Sequence, residues 1–186
     1  MKQQIVVSGV GGQGVLFVTR LLAESAILKG LPVFTSETHG MAQRGGTVIS
    51  HLKVGDFNSP LIRPFQADGL LALKAENISQ HGSYLKQGGW AVVNSDRNIA
   101  SEYEMSGFFV DADKIAQEIK NPKSVNLVLL GFALSAISKQ PESRENLFCS
   151  ADDIKAVMEN RLAGKKEMLD ASFKAFEAGG SWERED

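Results

Sequence analysis

An apolar run, Ile5-Val6-Val7, leads straight into Gly9-Val10-Gly11-Gly12-Gln13-Gly14, and a helical stripe begins at once. No other feature narrows the fold as much. Ile5 to Ser8 reads as a short buried strand. Val15 to Lys29 puts Leu16, Thr19, Leu22, Ala23 and Ala26 on one helical stripe, and Gly30 ends that helix. Leu31 to Thr35 reads as a second buried strand. Strand, glycine turn, helix and strand form one βαβ unit.

Gly9, Gly11 and Gly14 have the spacing of a dinucleotide fingerprint. There the first glycine permits the tight turn, the second lets backbone approach phosphate, and the third lets the helix pack on the strand. Helix N-terminal N–H groups then face the anion. Glu37 lies near the end of the second strand, where a ribose-binding acid would sit. The same spacing also serves to pack the helix on the sheet with no dinucleotide bound, and that reading is preferred. Gly12 opens the loop more than packing requires. A side chain at Gly11 is expected to meet the helix N-terminus, so Gly11→Val should misfold the unit.

Downstream, Ser36 to Gly46 reads as a loop. Thr47 to Val54 alternates, with Val48, Ser50, Leu52 and Val54 on one face, as in a one-side-exposed antiparallel strand at the sheet edge. Gly55-Asp56 is a turn, and Pro60 and Pro64 keep Ser59 to Pro64 extended. Gly69 to Leu73, Trp90 to Asn94 and Phe108 to Val110 read as strands. Helices are expected at Ala75 to Leu85, closed by Gly88-Gly89, and at Ala112 to Lys120. Val125 to Ser138 is apolar nearly all round and should be buried. Ser150-Ala151-Asp152-Asp153 has the form of a capped helix start, and a last helix around Met168 to Phe176 stops at Gly179-Gly180. The expectation is a Rossmann-like α/β fold with a mainly parallel sheet flanked by helices and a helical C-terminal third. Residues 1–180 are taken as a single domain and 181–186 as a polar, frayed tail.

The loop from Ser36 to Gly46 gathers Glu37, His39, Gln43 and Arg44 among Gly40, Gly45 and Gly46. As a catalytic site, His39 would move a proton and Glu37 would orient it. As a binding site, Arg44 would hold a carboxylate or phosphate. As structure, these groups would bond the loop to itself or to a partner. The last two readings are preferred. His51 and His81 are expected at the surface or at a partner contact, Cys149 as an inert thiol, Asp111 and Asp113 as helix caps, and Arg63 in a surface ion pair.

A net charge of -2 gives no support for polyanion binding. A single cysteine holds neither an internal disulfide nor an iron–sulfur cluster. The absence of a signal peptide and of a membrane-length apolar run makes the cytoplasm the expected location.

The chain resembles the gamma-type subunit of the 2-oxoacid:ferredoxin oxidoreductases. The resemblance runs from the glycine turn with Val15-Leu16, through Gly45-Gly46 and Ser59-Pro60-Leu61-Ile62, to Asn126-Leu127-Val128-Leu129-Leu130-Gly131 and Ala175-Phe176-Glu177-Ala178-Gly179. Ser36 to Gly46 looks more like the indolepyruvate branch, where this unit is the small beta subunit. One departure is Lys74-Ala75, where members of that family usually carry an acidic residue then proline.

The resemblance implies oxidative decarboxylation of a 2-oxoacid to an acyl-CoA, with coenzyme A as co-substrate and electrons passed to ferredoxin. Thiamine diphosphate and [4Fe-4S] clusters would sit in a large partner subunit, and the isolated chain would be inactive. Gly55-Asp56-Phe57-Asn58 suggests the start of a thiamine motif, but no Asn-Asn pair follows, so it reads as a turn. The binding or interface residues read from the glycine turn and the following loop are Gly9, Gly11, Gly12, Gln13, Gly14, Ser36, His39, Gly40, Gln43, Arg44, Gly45 and Gly46, with no metal ligand. Helix Val125 to Ser138 and the loop Pro60 to Pro64 are the expected interface segments. The competing readings are a free-standing dinucleotide-dependent oxidoreductase and a nucleotide-binding regulatory module. Neither nucleic acid nor membrane is an expected partner.

Overall fold

A computed structural model describes residues 1–39, 46–99, 107–139 and 146–183. The strands are β1 (Gln3–Val10), β2 (Val33–His39), β3 (Thr47–Val54), β4 (Ala67–Ala72), β5 (Leu85–Asn94) and β6 (Gly107–Val110). The helices are α1 (Val15–Leu28), α2 (Asn77–His81), α3 (Ala112–Glu118), α4 (Val125–Ser138), α5 (Ala151–Arg161) and α6 (Lys166–Gly180). The strands form one sheet in the order β2-β3-β1-β4-β5-β6. β1, β4, β5 and β6 run parallel, and β3 lies antiparallel between β1 and β2. The α/β reading and the helical last third therefore hold.

β3 is antiparallel as expected, but it is interior. Its alternation is real, with Ser50, Leu52 and Val54 facing one layer, yet Ile49, His51 and Lys53 on the other face are also buried. The edge strand on that side is β2. That strand continues through Ser36 to His39, four residues past its expected end, because the pairing with β3 runs to His39 opposite Val48. The helix expected over Ala75 to Leu85 shrinks to α2 and a 3₁₀ turn, Gly82–Tyr84. Gly88-Gly89 does not close a helix but lies within β5, where the register against β4 jumps between Ala67 and Gly69. Gly69 itself has no room for a side chain, since the Trp90 ring lies over it.

The two faces of the sheet are covered differently. One carries α1, α3, α4, α5 and α6 over a large apolar core that includes Ile5, Val7, Leu52, Val92 and most of α4. The other carries a thinner cover of Ile62, Ile78, Tyr84 and Ile99 over Val6, Leu70, Ala91 and Val93. α4 is buried as its all-round apolarity predicts, wedged between the sheet and α6. Gly131 of α4 lies against the Phe176 carbonyl, and Gly179 of α6 against that of Val128. α6 ends at Gly180, as expected, with both glycines inside its last turn. Ser181 to Glu183, read as tail, continue the packing, with Trp182 edge-on to Phe132 at 5.4 Å and Glu183 paired to Lys139 at 3.1 Å.

Local signals explain the helix ends. Gly30 (φ 70) follows α1, where its N–H bonds to Ile27 O and that of Leu31 to Ala26 O. Ser150 and Asp153 form a capping box at α5. Asp111 caps α3 by accepting from Lys114 N at 2.8 Å. Asp113 does not cap; it accepts instead from Asn94 Nδ2 at 2.6 Å, and Asn94 also reaches Leu73 O and Ala112 N. That asparagine ties β4, β5 and α3 together at the C-terminal end of the parallel strands.

Candidate functional site

The glycine turn crosses from β1 to α1 at the carboxyl end of the sheet, where open α/β sheets place their ligands. Its shape is set by Gln13, whose Oε1 accepts from Val10 N at 2.7 Å while its own N–H donates to Val10 O at 3.0 Å. The three fingerprint glycines do different work. A Cβ at Gly9 would press on Val15 and Leu73, so Gly9 seats the helix and β4 against β1. Gly14 has φ 82 at the α1 N-cap, and a Cβ there would overlap the Asn126 side chain. Its close neighbour is therefore α4 and not the strand.

Gly11 and Gly12 are exposed, and Gly12 has φ 91. A Cβ at Gly11 meets nothing closer than Gly46 O at 3.8 Å. The expected collision of a Gly11 side chain with the helix N-terminus is therefore overturned: the turn bends Gly11 outward, and the crowded glycines are Gly9 and Gly14.

Asn126 was not singled out as a site residue in the sequence. Only 8% exposed, it spends Oδ1 on Leu127 N at 2.9 Å and leaves Nδ2 against the turn. The signal was available, since it is the lone amide in an otherwise apolar helix, and such a group is buried only for a reason. The first turn of α1 contains no acidic residue. Its leading N–H groups and the exposed Gly12 backbone make a surface suited to an anion, with the Gly11 N–H already held by Gly46 O and the Asn126 amide behind Gly14. Lys74 is exposed just after Leu73, which packs on Gly9, and so adds a cation nearby.

The second expected cluster is only partly in view. Gly40, Gln43, Arg44 and Gly45 lie outside the described residues, as does the side chain of His39. Ser36 and Glu37 belong to β2, and Glu37 is exposed opposite Ser50. The far end of the loop touches the turn, because Gly11 N donates to Gly46 O at 3.1 Å. Across the sheet His39 pairs with Val48 and Val48 with Gly9, so the two segments end on the same edge two strands apart, about 10 Å at ordinary strand spacing. Because β3 is inserted, Glu37 is not on the strand beside β1, where a ribose-binding acid would be needed.

His51 is interior, not the surface or partner contact expected, while His81 is half-buried. His51 is 3% exposed, its Nδ1 takes the Ile62 N–H at 3.4 Å, and its ring meets Tyr84 edge-on at 5.4 Å. His81 Nδ1 lies 2.6 Å from Ser8 Oγ. Burial lowers the pKa of both, and for His51 the charges of His81 and Lys53 lower it further. Cys149 is inert as expected: burial pushes its thiol up to about 12, which outweighs the Ser25 hydrogen bond. Among the described residues, no three His, Cys, Asp or Glu side chains converge as metal ligands, and no helix is long and apolar enough to cross a membrane.

A glycine turn at the carboxyl end of a mixed sheet, seated between β1 and α1, places the chain among α/β proteins of Rossmann-like form. The chain belongs to the pyruvate ferredoxin/flavodoxin oxidoreductase family, whose model it matches over residues 4–182. Within that family it is of the small, gamma-type subunit kind. It is 32% identical over 197 residues to the indolepyruvate oxidoreductase subunit IorB of Pyrococcus horikoshii, covering 94% of this chain and 93% of that protein. With the subunit of the same name from Archaeoglobus fulgidus it shares 41% identity over 99 residues, 53% of this chain and 49% of that one.

Among solved structures it is similar to a 2-oxoglutarate:ferredoxin oxidoreductase from Magnetococcus marinus. There the TM-score is 0.75 at 26% identity, covering 96% of this chain and 30% of that one. The gamma subunit of a keto/oxoacid ferredoxin oxidoreductase from Geobacter sulfurreducens shares the fold, with TM-score 0.70 and 22% identity over 96% of both chains. The free-standing dinucleotide enzyme and the regulatory module find no support in these relatives, nor in the position of Glu37.

Proposed function

We propose that this chain is the small subunit of a 2-oxoacid:ferredoxin oxidoreductase of the indolepyruvate type. The observation that carries the reading is the near-complete mutual coverage with the Pyrococcus subunit. In the proposed reaction the carboxyl carbon of the 2-oxoacid leaves as CO2, the acyl group becomes the thioester of coenzyme A, and two electrons pass to ferredoxin. Thiamine diphosphate and [4Fe-4S] clusters belong to a large cytoplasmic partner, and this chain alone is inactive. Residues 1–180 act as one domain within that assembly.

The role assigned to this chain's own residues is binding. Gly12 and the start of α1, flanked by Gly11, receive an anionic group, for which the phosphates of coenzyme A have the right chemistry. The segment from Ser36 through His39, Gly40, Gln43, Arg44 and Gly45 to Gly46 borders the same site at the subunit interface. The coenzyme A named for the Magnetococcus enzyme supports this assignment.

The test is co-expression with a large cysteine-rich subunit, followed by ferredoxin reduction with coenzyme A and a panel of 2-oxoacids. Indolepyruvate should be the fastest substrate, and the small chain alone should give no reduction. A faster rate with pyruvate or 2-oxoglutarate would reassign the substrate. Failure of the two chains to form a complex would sink the subunit reading.

A further inference from the structure

The thin face of the sheet ends in a short segment that shows apolar side chains to solvent. Leu61 is 51% exposed and Phe65 68%, with Pro60 and Pro64 exposed beside them. The segment is not loose. Ile62 points inward at 3% exposure, and its N–H is held by His51 Nδ1. Phe65 N donates to Ser83 O at 2.9 Å and Gln66 N to Tyr84 O at 3.0 Å. Alternation about Ile62 sends Leu61 and Arg63 outward together.

Phe65 has φ 62, a left-handed conformation that is a true outlier for a bulky residue. Strain of this kind survives only where the surroundings enforce it, and it gathers at sites with a task. Here it fixes an aromatic ring in water. Two prolines and four anchoring contacts make the segment rigid before any partner arrives, which lowers the entropic cost of binding.

The charge around the segment selects the partner. Arg63 is exposed on it, and the exposed Lys2 stands 5.3 Å from the Phe57 ring, three residues before the segment. The carboxylate at the adjoining turn is Asp56. A second copy seated on the same patch about a two-fold axis would set these cations against their own kind. A carboxylate-bearing surface is the complementary one.

We propose that Pro60 to Phe65 is the docking element of this chain, with Leu61 and Phe65 entering an apolar groove on the larger subunit and Arg63 meeting carboxylates at its rim. The inference rests on the subunit function proposed above and names the surface that function needs.

Affinity of the co-expressed pair, measured by titration in the ultracentrifuge, tests it. Phe65→Gly removes the ring and also the left-handed strain. The isolated variant should melt no lower than wild type, while its affinity for the large subunit falls at least tenfold. Leu61→Ser should weaken assembly to a similar degree, and Arg63→Glu should weaken it most at low salt. Affinities within twofold of wild type for Phe65→Gly and Leu61→Ser overturn the docking assignment while the subunit function stands. A wild-type pair that does not assemble overturns both.

Discussion

The two faces of the sheet are built on opposite plans. The helix-covered face is thick and closed by glycine, with α4 and α6 so near each other that backbone fills the space of a side chain at Gly131 and at Gly179. The other face is thin and buries polar groups, His51, Ser8 and Lys53 among them. One face spends its sequence on close packing, and the other keeps groups that respond to solvent conditions. The glycine turn lies at the seam, touching α4 through Gly14 and Asn126 and open to water at Gly11 and Gly12.

If the contrast is right, the largest effect comes from the thick face. Gly131→Ala and Gly179→Ala each drive a methyl into a carbonyl of the facing helix, and backbone cannot step aside. Each should cost roughly 3 kcal/mol or more, above the ordinary range for overpacking. Insoluble protein, or a denaturation midpoint far below wild type, is the expected outcome. Normal melting of either variant would break the claim that glycine sets the spacing of these helices.

The turn should come next. Gly14→Ala carries two costs, about 1–2 kcal/mol for a left-handed alanine and a clash with the Asn126 amide. The clash is with a side chain, so it can be relieved. Combining Gly14→Ala with Asn126→Ala should recover part of the loss, a non-additivity that chemical denaturation of the four-protein cycle measures. Strict additivity would mean that the two residues do not meet.

The thin face should show itself through pH. His51 and His81 both have pKa values lowered from the ordinary 6.5 by burial. The folded rings stay neutral where unfolded ones take up protons. Stability is therefore complete above about pH 6.5 and declines as pH falls below it, until the folded rings themselves titrate. The melting temperature should drop between pH 7.5 and 5.5, and drop less in a His51→Gln, His81→Gln double variant. Equal slopes would show that these rings carry no proton linkage.

Much of this was legible in the sequence, for a reason that the misreadings share. β1, α1 and their turn obey local rules, so composition and spacing located them. β3 misled because its alternation, Val48, Ser50, Leu52 and Val54, is what a half-exposed edge strand shows. What covers the residues between them is Ile62, Tyr84 and other segments distant in sequence. Gly88-Gly89 misled in the same way, since a glycine pair looks like a stop but here lies inside β5; Gly179-Gly180 does end α6, yet Gly179 also answers to Val128, some fifty residues earlier. Asn126 was visible as a lone amide, yet only the fold shows that it faces Gly14. The positive φ of Phe65 leaves no trace in the sequence at all.

The smallest effect on stability should fall at Gly11, and it tests the seam most directly. An alanine there finds open space up to Gly46 O at 3.8 Å, and Gly11 does not have positive φ. Gly11→Ala should therefore keep its stability within about 0.5 kcal/mol of wild type, as exposed positions do. Its methyl would nonetheless stand where an anion must approach backbone N–H groups. In the assembled enzyme the KM for coenzyme A should rise several-fold while the KM for the 2-oxoacid holds. A variant that melts normally and keeps both constants would make the turn a packing device alone. One that unfolds would restore the crowding that the spacing of glycines first suggested.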